Sequence, residues 1–363
     1  MTEQKRDYGV DLLRIILMIF IVIGHLYAHT EIRSQLPFLS SKWVFTWATQ
    51  AVTVCAVDCF VIITGYYMSQ TSFRLWRVVK LWSKVIFYSV ALTAVLVAAG
   101  MLPVSGTVLL NAFFPVLRRE YWFFTMYILL YLFIPFLNAG LNQMSRKVHG
   151  ILVIIILLFF YAEPLLSAVF YEYDPTEGFS ILAFVTLYVI GAYLARRPDF
   201  SKKICLCALI GSSLLMLLSK IALEMIVDRF HLGLGTGLLY HNNSLFVLIN
   251  AAALFELFKQ IRLGPEAEKA AAWLSPSVFA VYLLHEKPAV RKLIWNDRLT
   301  AFLAKSDFWV YCLAVMGIAV GIFAAGIAVE KTLTWLVFRR AEKTAAARKI
   351  RERCLRYDEL LKR

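Results

Sequence analysis

Ten apolar runs, most of them near 20 residues long, recur along this chain at about 8–29, 43–68, 81–100, 121–139, 150–170, 179–195, 204–227, 240–259, 271–287 and 308–338. Hydrocarbon offers no water to the peptide N–H and C=O groups, so a segment of that length crosses a bilayer as a helix that closes its own hydrogen bonds. The expectation is an all-α polytopic membrane protein, a bundle of about ten transmembrane helices. Composition agrees, because 60% of the 363 residues are hydrophobic and only 17% are charged, fewer charges than a soluble domain carries. The last run is long for one crossing and contains Gly317, Gly321 and Ala325, a ridge of small residues suited to close helix packing.

A net charge of +14 invites a nucleic-acid reading, but the distribution of the charge argues against one. Basic residues gather in alternate connections: Lys5 and Arg6, then Arg74, Arg77, Lys80 and Lys84, then Arg146 and Lys147, Arg196 to Lys203, Lys259 to Lys269, and the tail from Arg339 to Arg356. With ten crossings all of these fall on one side, while the acidic loop Glu163, Glu172, Asp174 and Glu177 falls on the other. Loops rich in Lys and Arg stay in the cytoplasm, which puts both termini there in a multi-pass plasma-membrane protein. Arg118–Arg119 and Arg291–Lys292 are the exceptions on the outer side. Residues 339–363 read as a basic tail, a helix extending from the tenth run and attracted to anionic lipid.

Six cysteines include no CxxC pair, and most lie in apolar runs where cysteine acts as a small hydrophobe. Neither a disulfide framework nor a zinc site is expected from them. The first run is too long and too charged for a cleaved signal peptide and is expected to remain as a span.

Charge inside that first run is the functional lead. Arg14 and His25 stand eleven positions apart, which on a helix is about 1100°, or some 20° beyond three turns, and roughly 16 Å of rise. They project from one stripe, and Asp11 joins it one turn before Arg14. Ionisable groups at such a depth face a bundle interior or a wet cavity. Arginine offers a fork of donors for phosphate or carboxylate, and histidine can move a proton near neutrality. Arg14 can therefore hold an anionic head while His25 acts on a reactive end placed deeper. The plainer alternative is an Asp11–Arg14 salt bridge at the interface and a His25 that merely ends the span. His29, one turn beyond His25, makes a helical pair, but no nearby carboxylate or cysteine in sequence completes it and no metal is expected.

Other runs carry their own patterns. The second contains Phe60-Val-Ile-Ile-Thr64-Gly65-Tyr66, the fourth opens Tyr121-Trp122-Phe123-Phe124, and the ninth ends Tyr282-Leu-Leu-His285-Glu286. With Arg14, ten residues, then His25, these features resemble the acyltransferase-3 family of bacterial membrane acyltransferases, nearest to enzymes that acylate exopolysaccharides and other surface glycans. The likeness covers essentially the whole length, with Thr64 where the family usually has serine.

That resemblance implies transfer of an acyl group, commonly acetyl, from cytoplasmic acyl-CoA to a sugar hydroxyl at or across the membrane. It implies a ten-span acyltransferase domain over residues 1–338 and no permanently bound cofactor, with acyl-CoA as donor substrate. His25 would be the base or the acyl carrier, Arg14 would bind a phosphate or steady the oxyanion, and Asp11 would orient Arg14. His285 would share proton transfer or bind the acceptor, with Glu286 able to set its tautomer only if the fold allowed. Arg74, Arg77 and Lys80 would meet CoA phosphates. Tyr121, Trp122, Arg119, Tyr282 and Glu286 would face the acceptor, a glycan or undecaprenyl-linked sugar, and glycan-synthesis proteins are candidate partners. The competing reading is a sugar or glycolipid exporter with Arg14 and His25 lining its path. Such a transporter commonly shows inverted repeats, and none is visible here.

Overall fold

The structure is a computed structural model that describes residues 6–162, 178–231 and 235–360. Lys5, the acidic residues Glu163, Glu172, Asp174 and Glu177, and the second part of the expected 150–170 run lie outside the described residues. Every long element among the described residues is helical: α1 (Tyr8–His29), α2 (Ser41–Thr53), α3 (Ala56–Met68), α4 (Leu75–Ala98), α5 (Trp122–Gln143), α6 (Arg146–Ile156), α7 (Ile181–Leu194), α8 (Lys202–Phe230), α9 (Leu245–Lys259), α10 (Pro265–Leu274), α11 (Val278–His285), α12 (Phe308–Leu333) and α13 (Ala345–Leu360). Further short helices, Gly106–Phe113 and Asp297–Lys305 among them, and helical turns join them.

Seven helices or helix pairs among the described residues are long and apolar enough to cross a bilayer: Tyr8–His29, Ser41–Met68, Leu75–Ala98, Trp122–Gln143, Lys202–Phe230, Leu238–Lys259 and Phe308–Ala341. Their outer faces are apolar. On α8, Leu206, Ile210, Leu214 and Leu218 are all exposed at helical spacing, a stripe that water would penalise and lipid welcomes.

The remaining expected crossings take different forms. The described part of the fifth is α6 followed by a π-helical turn over Leu157–Ala162, and the sixth is the apolar helix α7 of 14 residues. The ninth is interrupted, because the Ser275–Ser277 segment winds as a 3-10 turn between α10 and α11. Pro276 has no N–H to donate, which removes one rung of an α-helix at that point.

α1 and α3 occupy the centre. α1 packs against α2, α3, α9, α10, α11 and α12, and α3 packs against α7 and α9. Asp7 caps α1 by accepting the Val10 N–H and also accepts the Tyr67 hydroxyl at 3.1 Å, which ties the start of α1 to the end of α3. At the crossing of α3 and α7 two glycines let the backbones touch. A β-carbon on Gly65 would lie 2.3 Å from the Tyr188 carbonyl oxygen, and one on Gly191 would lie 2.4 Å from that of Ile62.

The small-residue ridge of the last run does something other than expected. Gly317, Gly321 and Ala325 are exposed, and no neighbour lies within 4 Å of a β-carbon built on either glycine. Gly326, on the opposite side, is the close-packed one and meets Val281 of α11. The tail also departs from its expected course. A turn at Glu342–Thr344 ends the long helix, and α13 folds back along α4, where Asp358 accepts the Leu75 N–H at 2.8 Å.

One ion pair links α4 to α12. The buried Glu330 carboxylate accepts from Lys84, from the Tyr88 hydroxyl at 2.6 Å and from Thr334 at 3.2 Å. Removing one member of a buried pair strands the other, at a cost of about 3–5 kcal/mol. Glu330→Ala is expected at the lower end, because the Lys84 side chain keeps 20% exposure. Thermal unfolding in detergent reads this, and the Lys84→Met/Glu330→Leu double variant should regain most of the loss. A Glu330→Ala midpoint equal to wild type would remove the pair from the stability account.

Candidate active site

Asp11 anchors the lower part of the site. It is nearly fully buried and accepts from Arg6 at 2.5 Å, Arg14 at 2.9 Å and Ser275 at 2.9 Å. The proline break that frees Ser275 from an ordinary helical turn thus brings α10 onto the charged stripe of α1. Arg14 pairs with Asp11 through one nitrogen and leaves part of its guanidinium free, with 32% of the side chain exposed.

Two hollows meet at Arg14 and Tyr67. The inner one, about 370 Å³, runs past Arg14, Tyr67 and Arg77 and is walled mostly by apolar and aromatic residues of α1, α3, α5 and α11, including Met18, Phe60, Phe123 and Tyr127, with the Thr64 hydroxyl among them. His25, Trp122 and Tyr282 also line it. The outer hollow, about 480 Å³, is polar and lined by Arg6, Asp7, Asp11, Arg14, Tyr67, Ser275 and Pro276. A pocket of this size and lining, mostly apolar with a few convergent polar groups, is the ordinary form of a small-molecule site.

At the far end of α1, residues separated by 260 positions come together. His25 Nδ1 lies 2.9 Å from His285 Nε2, and His285 Nδ1 lies 2.6 Å from the Val281 carbonyl oxygen. A carbonyl only accepts, so in a neutral ring His285 donates from Nδ1 and presents a lone pair at Nε2. His25 then donates from Nδ1, and its own Nε2 carries the free lone pair. The chain of acceptors thereby selects the tautomer in which His25 can take a proton.

Glu286 ends α11 and is buried, with Oε1 accepting from Arg291 at 2.9 Å. Its Oε2 faces α1, 3.1 Å from His25 Nδ1 and 3.4 Å from His29 Nε2. The tautomer of His285 is therefore set by the Val281 carbonyl of its own helix, and the adjacent carboxylate faces His25 and His29 instead.

The other residues singled out from sequence scatter. Trp122 and Tyr282 line the inner hollow, and Trp122 meets Phe179 edge-on. Tyr121 is buried behind them with its hydroxyl donating to the Leu283 carbonyl at 3.1 Å, a packing role. Arg119 is exposed with φ of +53° and is not among the lining residues. The basic stripe of α4 splits, because successive turns meet different neighbours. Arg77 reaches the inner hollow, Lys80 pairs with Glu342 at 2.6 Å, Lys84 pairs with Glu330, and Arg74 is exposed at the start of the helix. Lys287, beside Glu286, is buried against Glu120 at 3.1 Å and Ser89 at 3.0 Å, which locks the end of α11 to α4. Tyr67 and Arg291 join the site without a signal of their own in the sequence: Tyr67 stands among apolar and aromatic residues, and Arg291 shows only as an exception to the charge rule.

No curated protein and no solved structure matches the chain. A family model described as an acyltransferase domain matches residues 7–329, which takes in α1 through nearly all of α12 and every residue lining the inner hollow. The chain belongs to the acyltransferase-3 family.

Proposed function

We propose that this protein is a membrane O-acyltransferase that moves an acyl group, acetyl foremost, from acyl-CoA to a hydroxyl of a cell-surface or lipid-linked glycan. The observation that carries this reading is the inner hollow itself, with a guanidinium at Arg14 and a base-competent His25 on the same wall. Their separation, roughly 16 Å along α1, suits an extended donor arm with an anion at one end and a thioester at the other. Arg14 and Arg77 supply cationic donors for that anion, and the apolar wall between suits the uncharged arm. The charge pattern of the connections supports an Arg14 end that faces the cytoplasm, the side from which acyl-CoA would enter.

His25 Nε2 takes the proton of the acceptor hydroxyl as its oxygen attacks the thioester carbonyl. The tetrahedral intermediate collapses with cleavage of the C–S bond, and the departing thiolate takes the proton back from His25. His285 acts through His25 and is a positioning residue: its Nε2 accepts from His25 Nδ1 and so keeps His25 Nε2 free, while the Glu286 carboxylate beside it adds negative charge. Trp122 and Tyr282 offer aromatic faces to a sugar ring.

Purified protein in nanodiscs, supplied with radiolabelled acetyl-CoA and a glycan acceptor, should release CoA and label the acceptor. Arg14→Ala should raise KM for the donor at least tenfold, because it deletes a charge-assisted contact of about 1.5–3 kcal/mol. A folded wild type that neither binds nor cleaves any acyl-CoA would overturn the reading.

A further inference from the structure

Three potential ligand atoms converge where α1 and α11 end. His25 Nδ1, His29 Nε2 and Glu286 Oε2 all lie within 4.8 Å of one another. Glu286 Oε2 is 3.1 Å from the first and 3.4 Å from the second. Yet His29 Nε2 and Glu286 Oε2 are both buried without a hydrogen-bond partner. Each residue thus offers one donor atom that a single ion could take up. Ligands at about 2.0–2.2 Å from a tetrahedral ion stand about 3.3–3.6 Å apart, close to both separations. One supporting contact also has the right form: Arg291 holds the other oxygen of Glu286 at 2.9 Å, and such an outer partner orients a ligand towards a metal. His25 and His29, four residues apart, share one helix face, as metal-binding histidine pairs on helices do.

We propose that His25, His29 and Glu286 form a site for a divalent transition-metal ion of the zinc class, and that filling it switches off His25 as a base. Two imidazoles and a carboxylate suit zinc and its neighbours and are a poor set for calcium or magnesium. The switch follows from the two ring nitrogens. A metal on Nδ1 displaces the proton from that nitrogen, and the neutral ring then carries its proton on Nε2. In that state His25 cannot accept a proton from a hydroxyl. Metal and catalysis compete for one imidazole. The switching half rests on the role given to His25 above; the binding half does not.

The test uses full-length protein without a polyhistidine tag, in nanodiscs, dialysed to equilibrium against Zn²⁺ and assayed for bound metal per chain. Wild type is expected to hold one ion that His29→Gln weakens at least tenfold and that His29→Cys, which keeps a zinc ligand, retains. A wild type that binds none, or a His29→Gln protein that binds as well as wild type, overturns the site. Initial acyl-transfer rates are then compared with chelator and with saturating Zn²⁺, with a fall of more than tenfold expected, reversed by chelator. A site-bound ion that leaves the rate unchanged or raises it overturns the switch. If chelated protein transfers no acyl group, the functional reading and the switch fail together, and metal stoichiometry still decides the site.

Discussion

Replacing His25 by alanine is expected to lower acyl transfer about a hundred- to ten-thousand-fold, the usual loss when a positioned general base is removed. The effect belongs to the chemical step. His25 lines the inner hollow at the end away from Arg14, so donor binding through Arg14 and Arg77 should persist and KM for acyl-CoA should move little. The fold should also persist. α1 is held by the Asp7 cap, the Asp11 cluster and its buried face of Leu13, Leu17, Val22 and Leu26, none of which needs the imidazole. Initial rates of CoA release, read beside donor binding and a detergent melting curve, separate these possibilities. A folded His25→Ala protein that works within threefold of wild type would remove His25 from the chemistry. His285→Gln should give a smaller loss, about tenfold, confined to kcat, because it only disturbs the acceptor that holds His25 Nδ1.

Gly65→Ala should be among the most damaging single-methyl changes in the described bundle, where only a β-carbon on Gly9, 2.1 Å from the Phe258 carbonyl oxygen, would sit closer to backbone. The added carbon would meet the Tyr188 carbonyl oxygen at 2.3 Å and its Cα at 2.9 Å, and backbone cannot rotate away as a side chain can. Separating α3 from α7 to make room costs about 3 kcal/mol or more, the upper end for overpacking. Because α3 also carries Val57, Phe60, Ile63 and Thr64 on the wall of the inner hollow, the shift should reach donor binding as well as stability. Gly191→Ala should behave alike, and the double variant should lose less than the sum, since one separation accommodates both. Gly317→Ala and Gly321→Ala are the controls. Nothing lies within 4 Å of either added carbon, and alanine is the better helix former by about 1 kcal/mol. Melting midpoints in detergent decide the matter. A Gly65→Ala protein as stable as Gly317→Ala would refute the contact.

Much of the architecture was legible because a bilayer leaves the backbone few choices. Apolar length alone marked the helices now seen at Tyr8–His29, Leu75–Ala98, Lys202–Phe230 and Phe308–Ala341. Two expected features failed at points where local pattern carries little information. The small-residue ridge of α12 was assigned to packing, but spacing cannot say which side of a helix meets a neighbour; Gly326 packs and Gly317 does not. The charged tail promised a helix, and the turn at Glu342–Thr344 and its return along α4 depend on contacts with Leu75 that lie far away in sequence.

The candidate site divides along the same line. Helical periodicity by itself placed Asp11, Arg14 and His25 on one stripe, since 3.6 residues per turn is a local property of any helix. Only the tertiary structure decided what that stripe faces. Pro276 breaks the ninth run and turns Ser275 onto Asp11. The end of α11 sets His285 and Glu286 against His25, 260 positions away along the chain. The fold also turned Arg77 inward and gave Lys80 to Glu342. Which helices become neighbours depends on close approaches such as Gly65 on Tyr188 and Gly326 on Val281, and those are properties of two surfaces together, written in neither segment alone.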